Sequence, residues 1–215
     1  MSDYLAIRRI RQEYQQLQRN PLQGIWAHPI PNDMREWRFV IEGPPGTAFS
    51  GGLFQGTINF PTNYPCTAPR IKMVTPTGGR FVDNQNICIE DLEQHAWQPA
   101  MSLSDVLSGF RDFMVRDDVL EGRVWFATDY EQKRFIEASL QFNTNDPVFC
   151  EMFPALAEQS RRRLQELRAE LENSQRQHDV PQAQHHSSGL IFMVLGYGGI
   201  AGIIAVLAVI IRSFM

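Results

Sequence analysis

Four prolines, Pro65, Pro69, Pro76 and Pro99, punctuate the stretch from Tyr64 to Pro99. Each lacks the amide that a helix needs and pushes its predecessor toward an extended backbone, so this stretch cannot be one helix. Arg70 to Val74 remains as a single short strand. Gly78-Gly79 then opens a turn-rich run that reaches Ile87-Cys88-Ile89. The rest of the chain must therefore fold around a long non-helical segment that holds a cysteine between two isoleucines. Two readings of Cys88 follow. It is a small apolar core residue in a short strand, or it is an accessible nucleophile among backbone amides not committed to a helix.

Before this segment, Ser2 or Asp3 can cap a helix running to about Gln18, with Ile7, Ile10, Tyr14 and Leu17 as its apolar stripe and Arg8, Arg9 and Arg11 largely off it. Asn20-Pro21 ends that helix. Short β-like runs follow at Ile25–Pro31, Trp37–Glu42, Leu53–Phe60 and Arg70–Val74, separated by Pro, Gly and Asn-Asp turns. No crossover helix interrupts them, so an antiparallel meander is expected and a parallel βαβ sheet is not. After the segment, Ser102 with Asp105 and Thr128 with Glu131 have capping-box spacing for helices to about Met114 and through Phe142. Asp146-Pro147 fits the start of a third helix, and Pro154 the start of another. Helix, meander, then helices is an α+β order.

The pattern changes past 154. Leu156, Leu164, Leu167 and Leu171 make a thin stripe among Glu, Gln and Arg, too little for a second domain. Residues 155–189 are expected to be a helical or flexible polar linker. Leu190 to Ile211 is 22 residues without a charge. As a helix it would be about 33 Å long, enough for the hydrocarbon core of a bilayer. The expected organisation is a folded domain over 1–154, the linker over 155–189 and a transmembrane tail anchor over 190–211.

Charge and cysteine content exclude some classes. The net charge of −4 gives no electrostatic reason to expect nucleic acid. Three cysteines without CxxC spacing argue against a disulfide framework. Cys66 and Cys150 are expected to be structural. No phosphate-cradling GxxxxGK[ST] is present, and the pair His185-His186 lacks further ligands, so no metal or nucleotide cofactor is expected.

Several motifs occur in a specific order: His28-Pro29-x-Pro31, Glu36-Trp37, Gly43-Pro44-Pro45, Gly51-Gly52, Tyr64-Pro65, the turn Thr75-Pro76-Thr77-Gly78-Gly79-Arg80-Phe81, Ile87-Cys88, Trp97-Gln98-Pro99 and Phe142-Asn143. Together they resemble the catalytic core of ubiquitin-conjugating enzymes. The Gly-Arg-Phe turn and the hydrophobic run resemble one branch, the tail-anchored enzymes of endoplasmic-reticulum-associated degradation. The resemblance implies the ubiquitin-conjugating-enzyme fold, with an N-terminal helix, a four-stranded antiparallel meander and C-terminal helices, plus one C-terminal transmembrane helix. It implies ubiquitin, the ubiquitin-activating enzyme, a RING-type ligase, protein substrates and the membrane as partners. The first helix would dock the activating enzyme, which is also the protein that uses ATP. The implied location is the endoplasmic reticulum membrane, single-pass, with the catalytic domain facing the cytosol.

The resemblance also implies chemistry. Cys88 would accept ubiquitin as a thioester and surrender it to an amine or hydroxyl, since a thiolate is both a good nucleophile and a good leaving group. Glu90, Asp91 and Glu93 follow closely and would disfavour the thiolate, so an ordinary or raised thiol pKa is expected. Thr77 stands where the branch has an asparagine. Asn84 matches the branch's asparagine four residues before the cysteine and is the candidate oxyanion donor, with Asn86 nearby; as a residue it is equally a turn former. His95, seven residues after Cys88, is the candidate base for hydroxyl acceptors, and Asp117 and Asp118 a candidate loop for orienting amines. Two other readings remain. One is a cysteine protease drawing on His28 or His95. The other is a catalytically weak, membrane-tethered adaptor of the ubiquitin pathway with the same fold.

Overall fold

The computed structural model of the chain describes residues 2–78, 87, 97–116, 126 and 128–178. Helix α1 spans Ser2–Arg19 and begins at the residue expected to cap it, so Asp3 lies in its first turn and accepts Arg35 at 3.2 Å. Strands β1 (Ile25–Ile30), β2 (Asp33–Glu42), β3 (Leu53–Asn59) and β4 (Arg70–Met73) form one antiparallel meander in chain order. Strand β2 starts four residues earlier than the alternation implied. Asn32 takes a left-handed φ of 68°, which lets the β1–β2 turn close over Pro31-Asn32 alone.

In β2, Trp37, Phe39 and Ile41 point to one face and are wholly buried. Trp37 meets the edge of Tyr14 from α1 at 5.4 Å, and Phe39 meets Phe110 at 5.7 Å. Phe110 belongs to α2 (Leu103–Val115), whose capping box between Ser102 and Asp105 is fully formed. Leu103, Val106, Leu107, Phe110 and Met114 are the buried face of α2. Phe113 is half-exposed and carries Arg116 over its ring at 5.9 Å.

Helix α3 (Asp129–Asn145) is capped by Thr128, which accepts the amide of Glu131 at 3.2 Å. Asp146 ends α3 and caps α4 (Pro147–Met152) by accepting the amide of Val148. Helix α5 (Pro154–His178) differs from the expected linker. It runs antiparallel along α3 and buries Leu156, Ala157, Leu164, Leu167 and Leu171. Lys133–Glu170 at 2.7 Å, Arg168–Glu137 at 3.0 Å and Gln175 to Tyr130 at 2.7 Å stitch its edges. The thin stripe joins the core that includes Ile136 and Leu140 on α3. Chain contacts gather Met1–Asp179 into one unit.

Among the described residues no helix is long and apolar enough to cross a membrane; the run 190–211 lies outside them. Cys66, expected to be structural, is exposed in the turn after Tyr64. Cys150 is half-buried, and its thiol donates to the carbonyl of Thr144 at 3.4 Å.

Candidate active site

The two ends of the proline-broken segment are held against one another. At its start, the Tyr64 ring is 2% exposed and packs edge-on against Phe60 at 4.8 Å. At its end, Trp97 lies 5.9 Å from the Tyr64 ring, and its Nε1 donates to the carbonyl of Pro65 at 2.8 Å. The prolines that forbid a helix thus leave a free carbonyl on which the tryptophan closes the segment.

Glu13 on α1 ties this closure to the rest of the domain. Its carboxylate is 2% exposed. It accepts Arg9 Nε at 2.6 Å, the Tyr64 hydroxyl at 3.4 Å and the backbone amide of Leu103 at 3.0 Å. Burial first, and the adjacent Glu13 carboxylate second, push the Tyr64 phenol well above its ordinary pKa, so it stays a donor. Arg9 also donates to the carbonyls of Pro99 at 3.2 Å and Met101 at 2.9 Å. Arg9 is therefore not part of a solvated basic face with exposed Arg8 and Arg11. The expected stripe missed Glu13, although Ala6, Ile10, Glu13 and Leu17 follow a spacing of 4, 3 and 4. An acid at an apolar position of a helix is the signal that marks it.

The chain leaves β4 through a second anchored point. The amides of Val74 and Thr75 both donate to the carbonyl of Gln55, at 2.9 and 3.1 Å. Gln55 N donates to Thr75 Oγ1 at 3.0 Å, and that hydroxyl donates to Asn143 Oδ1 at 2.5 Å. Thr75 and Thr77 are buried, and Gly78 turns the chain with a φ of 65°. Ile87, the residue before Cys88, lies against β4. Its amide donates to the carbonyl of Ile71 at 2.8 Å in an antiparallel bridge. The outgoing and returning chain are thus fixed on either side of β4.

The candidates Cys88, Asn84, Asn86, His95, Asp117 and Asp118 lie outside the described residues. The described frame reaches their chain neighbours: Ile87 before Cys88, Trp97 two residues after His95, and Arg116 before Asp117. His28, a candidate for protease chemistry, lies between the rings of Tyr14 and Phe153, at 6.0 and 5.5 Å. Its burial lowers its pKa, and the Tyr14 hydroxyl is 3.2 Å from Nδ1. Gln55 carries no motif that sequence reasoning could use, and Thr75 was visible only as the first residue of the turn motif. Asn143 was visible only as half of the pair Phe142-Asn143.

Residues 9–142 match the family model described as ubiquitin-conjugating enzyme. The chain is 36% identical over 178 residues to "Ubiquitin-conjugating enzyme E2 J2" of Mus musculus, covering 82% of this chain and 67% of the relative. It is 38% identical over 160 residues to "Ubiquitin-conjugating enzyme E2 34" of Arabidopsis thaliana, covering 74% and 67%. It is 34% identical over 181 residues to "Ubiquitin-conjugating enzyme E2 6" of Schizosaccharomyces pombe, covering 82% and 79%.

Proposed function

Because the chain belongs to the ubiquitin-conjugating enzyme family, we propose that it carries ubiquitin as a thioester on Cys88 and acts from a membrane. The observation that carries this reading is the bridge between Ile87 and Ile71, which fixes the residue before Cys88 on the sheet inside a family-matched fold. In loading, the Cys88 sulfur attacks the carbonyl of the ubiquitin thioester on the activating enzyme. The S–C bond to Cys88 forms, the activating enzyme's thiolate leaves, and the Cys88 proton is lost to solvent. ATP is spent earlier, by the activating enzyme. In transfer, an amine or hydroxyl attacks the same carbonyl, expels the Cys88 thiolate and gives up its proton.

Asn84 is the proposed donor to the oxyanion. His95 is the proposed base for hydroxyl acceptors, because a neutral imidazole accepts a proton near neutral pH. Asp117 and Asp118 are the proposed orienting loop for amines. Exposed Arg8 and Arg11 on α1 fit the docking of the activating enzyme, and a RING-type ligase would bring protein substrates. The uncharged run 190–211 supports a single membrane-spanning anchor. The Gly-Arg-Phe turn at 79–81 supports the endoplasmic reticulum branch, with the catalytic domain in the cytosol and misfolded or membrane proteins as substrates.

The test is incubation with activating enzyme, ATP and ubiquitin. A reductant-sensitive adduct is expected, lost in Cys88→Ala and replaced in Cys88→Ser by an oxygen ester that thiols do not cleave. An adduct that survives Cys88→Ala would move the nucleophile elsewhere.

A further inference from the structure

Polar side chains from β2, β3, the turn after β4, α3 and the cap of α4 meet behind the point where the chain leaves the sheet. Gln55 and Asn143 are fully buried, and Thr75 is 1% exposed. Gln55 Nε2 donates to Asn143 Oδ1 at 3.2 Å and to Asp146 Oδ2 at 3.0 Å. Asn143 Nδ2 donates to the carbonyl of Leu53 at 2.6 Å. Arg38 closes the outer rim, donating to Gln55 Oε1 at 3.4 Å and lying 3.8 Å from Asp146; its buried Nε, without a partner among the described residues, is the loose end.

The orientation of the Asn143 amide is forced. The Thr75 hydroxyl and the Gln55 amide both bring hydrogens to the same Asn143 atom, while the other terminal atom faces a carbonyl. Only the oxygen can accept the two donors, and only the nitrogen can donate to Leu53. The Thr75 hydroxyl is used both ways, accepting from Gln55 N and donating to Asn143. It therefore has no freedom to rotate. Every polar side-chain atom of Gln55, Thr75 and Asn143 has a partner.

Such a cluster is a poor way to gain stability. Buried amides and hydroxyls recover in hydrogen bonds little more than they lose in hydration, and apolar groups of the same shape would serve a core as well. What a network with every one of these atoms engaged supplies is a single geometry. Here that geometry falls on Val74–Gly78, the turn that leads from β4 toward Asn84 and Cys88.

We propose that Gln55, Thr75 and Asn143 are positioning residues for ubiquitin transfer. They fix the direction in which the chain leaves β4, and so set the frame against which Ile87 returns to Ile71 just before the nucleophile. This rests on the reading of Cys88 as the thioester residue. The turn carries Thr77 where the resemblance leads one to expect an asparagine.

The test is single-turnover discharge of the Cys88 thioester of the full chain to free lysine. Only molecules that have been loaded, and so are folded, contribute to the rate constant. Thr75→Val keeps the shape and removes the hydroxyl. It is expected to reach the same loading end point but to discharge about tenfold more slowly at saturating lysine, with KM little changed. Thr75→Ser is expected to restore the rate to within about twofold. Gln55→Leu, which removes the side-chain donor to Asn143, is expected to slow discharge as Thr75→Val does, and supplies the second case if Thr75→Val does not fold. Discharge of both at the unmodified rate, with only a lower melting temperature, would overturn the inference and leave the thioester reading intact. Slow discharge that Thr75→Ser fails to restore would also overturn it. An unmodified chain that forms no reductant-sensitive adduct would remove the thioester reading, and the inference with it.

Discussion

Glu13 on α1 accepts the backbone amide of Leu103, the first residue of α2, at 3.0 Å. That amide is one of the first-turn donors that a helix cannot satisfy by itself. The same carboxylate holds Arg9, which clasps the carbonyls of Pro99 and Met101. Removing it as Glu13→Ala would strand the Leu103 amide and the Tyr64 hydroxyl and leave Arg9 without its counter-charge. A loss on the order of 3 kcal/mol is expected, read as a lower denaturation midpoint of the full chain in detergent. Glu13→Gln keeps an acceptor for Leu103 and should recover part of that loss. Equal stability of Glu13→Ala and the unmodified chain would refute the hub.

His28 should make the domain sensitive to mild acid. Burial holds its pKa below 6.5, and the neutral ring can accept the Tyr14 hydroxyl. Because the folded pKa is the lower one, the stability this residue contributes is full above its unfolded pKa and is lost as pH falls through the folded value. Melting temperature is expected to drop between about pH 7 and pH 5, and the drop should be shallower in His28→Gln. Parallel profiles for the two proteins would assign the acid sensitivity to other groups.

Gly56 in β3 leaves no room for a methyl group. A Cβ there would lie 2.3 Å from the tip of the Phe39 ring and 2.4 Å from the backbone oxygen of Lys72. The backbone oxygen cannot swing aside without breaking the β3–β4 pairing. Gly56→Ala is expected to cost about 3 kcal/mol or more, measured by chemical denaturation. A cost below about 1 kcal/mol would mean that the sheet yields there.

Acceptor choice should separate at His95. Single-turnover discharge to free serine is expected to slow more than discharge to free lysine in His95→Ala, by about tenfold or more, with loading unchanged. A serine hydroxyl is the weaker nucleophile and gains more from a base. Equal slowing with both acceptors, or none, would remove the histidine from the mechanism.

How far the sequence discloses this molecule depends on the kind of signal. Periodicity and capping chemistry are local, so the meander, the Ser102–Asp105 box and the Asp146-Pro147 start were legible residue by residue. The limits of β2 were not, because Asn32 accepts a left-handed backbone and lets pairing begin at Asp33. Helix α5 was legible as a helix but not as part of the first domain, since its apolar stripe gains meaning only beside Ile136 and Leu140. At the site, Cys88 stood out through a resemblance. The network of Gln55, Thr75 and Asn143 did not, because their bonds to one another span 20 to 88 residues and no spacing rule reaches that far.

Helix α5 also decides where this protein can be cut. A fragment trimmed at 154, where the matched family pattern is already complete, would strip Leu164, Leu167 and Leu171 from α3 and leave a wet apolar trough. Truncating even one of these leucines to alanine costs about 2–5 kcal/mol in a packed core, so losing the whole helix invites aggregation. A boundary placed after 178 keeps the trough closed and omits the uncharged run. Laboratories preparing this enzyme for crystals or for kinetics in the absence of detergent would succeed or fail on those two dozen residues, none of which carries a catalytic motif.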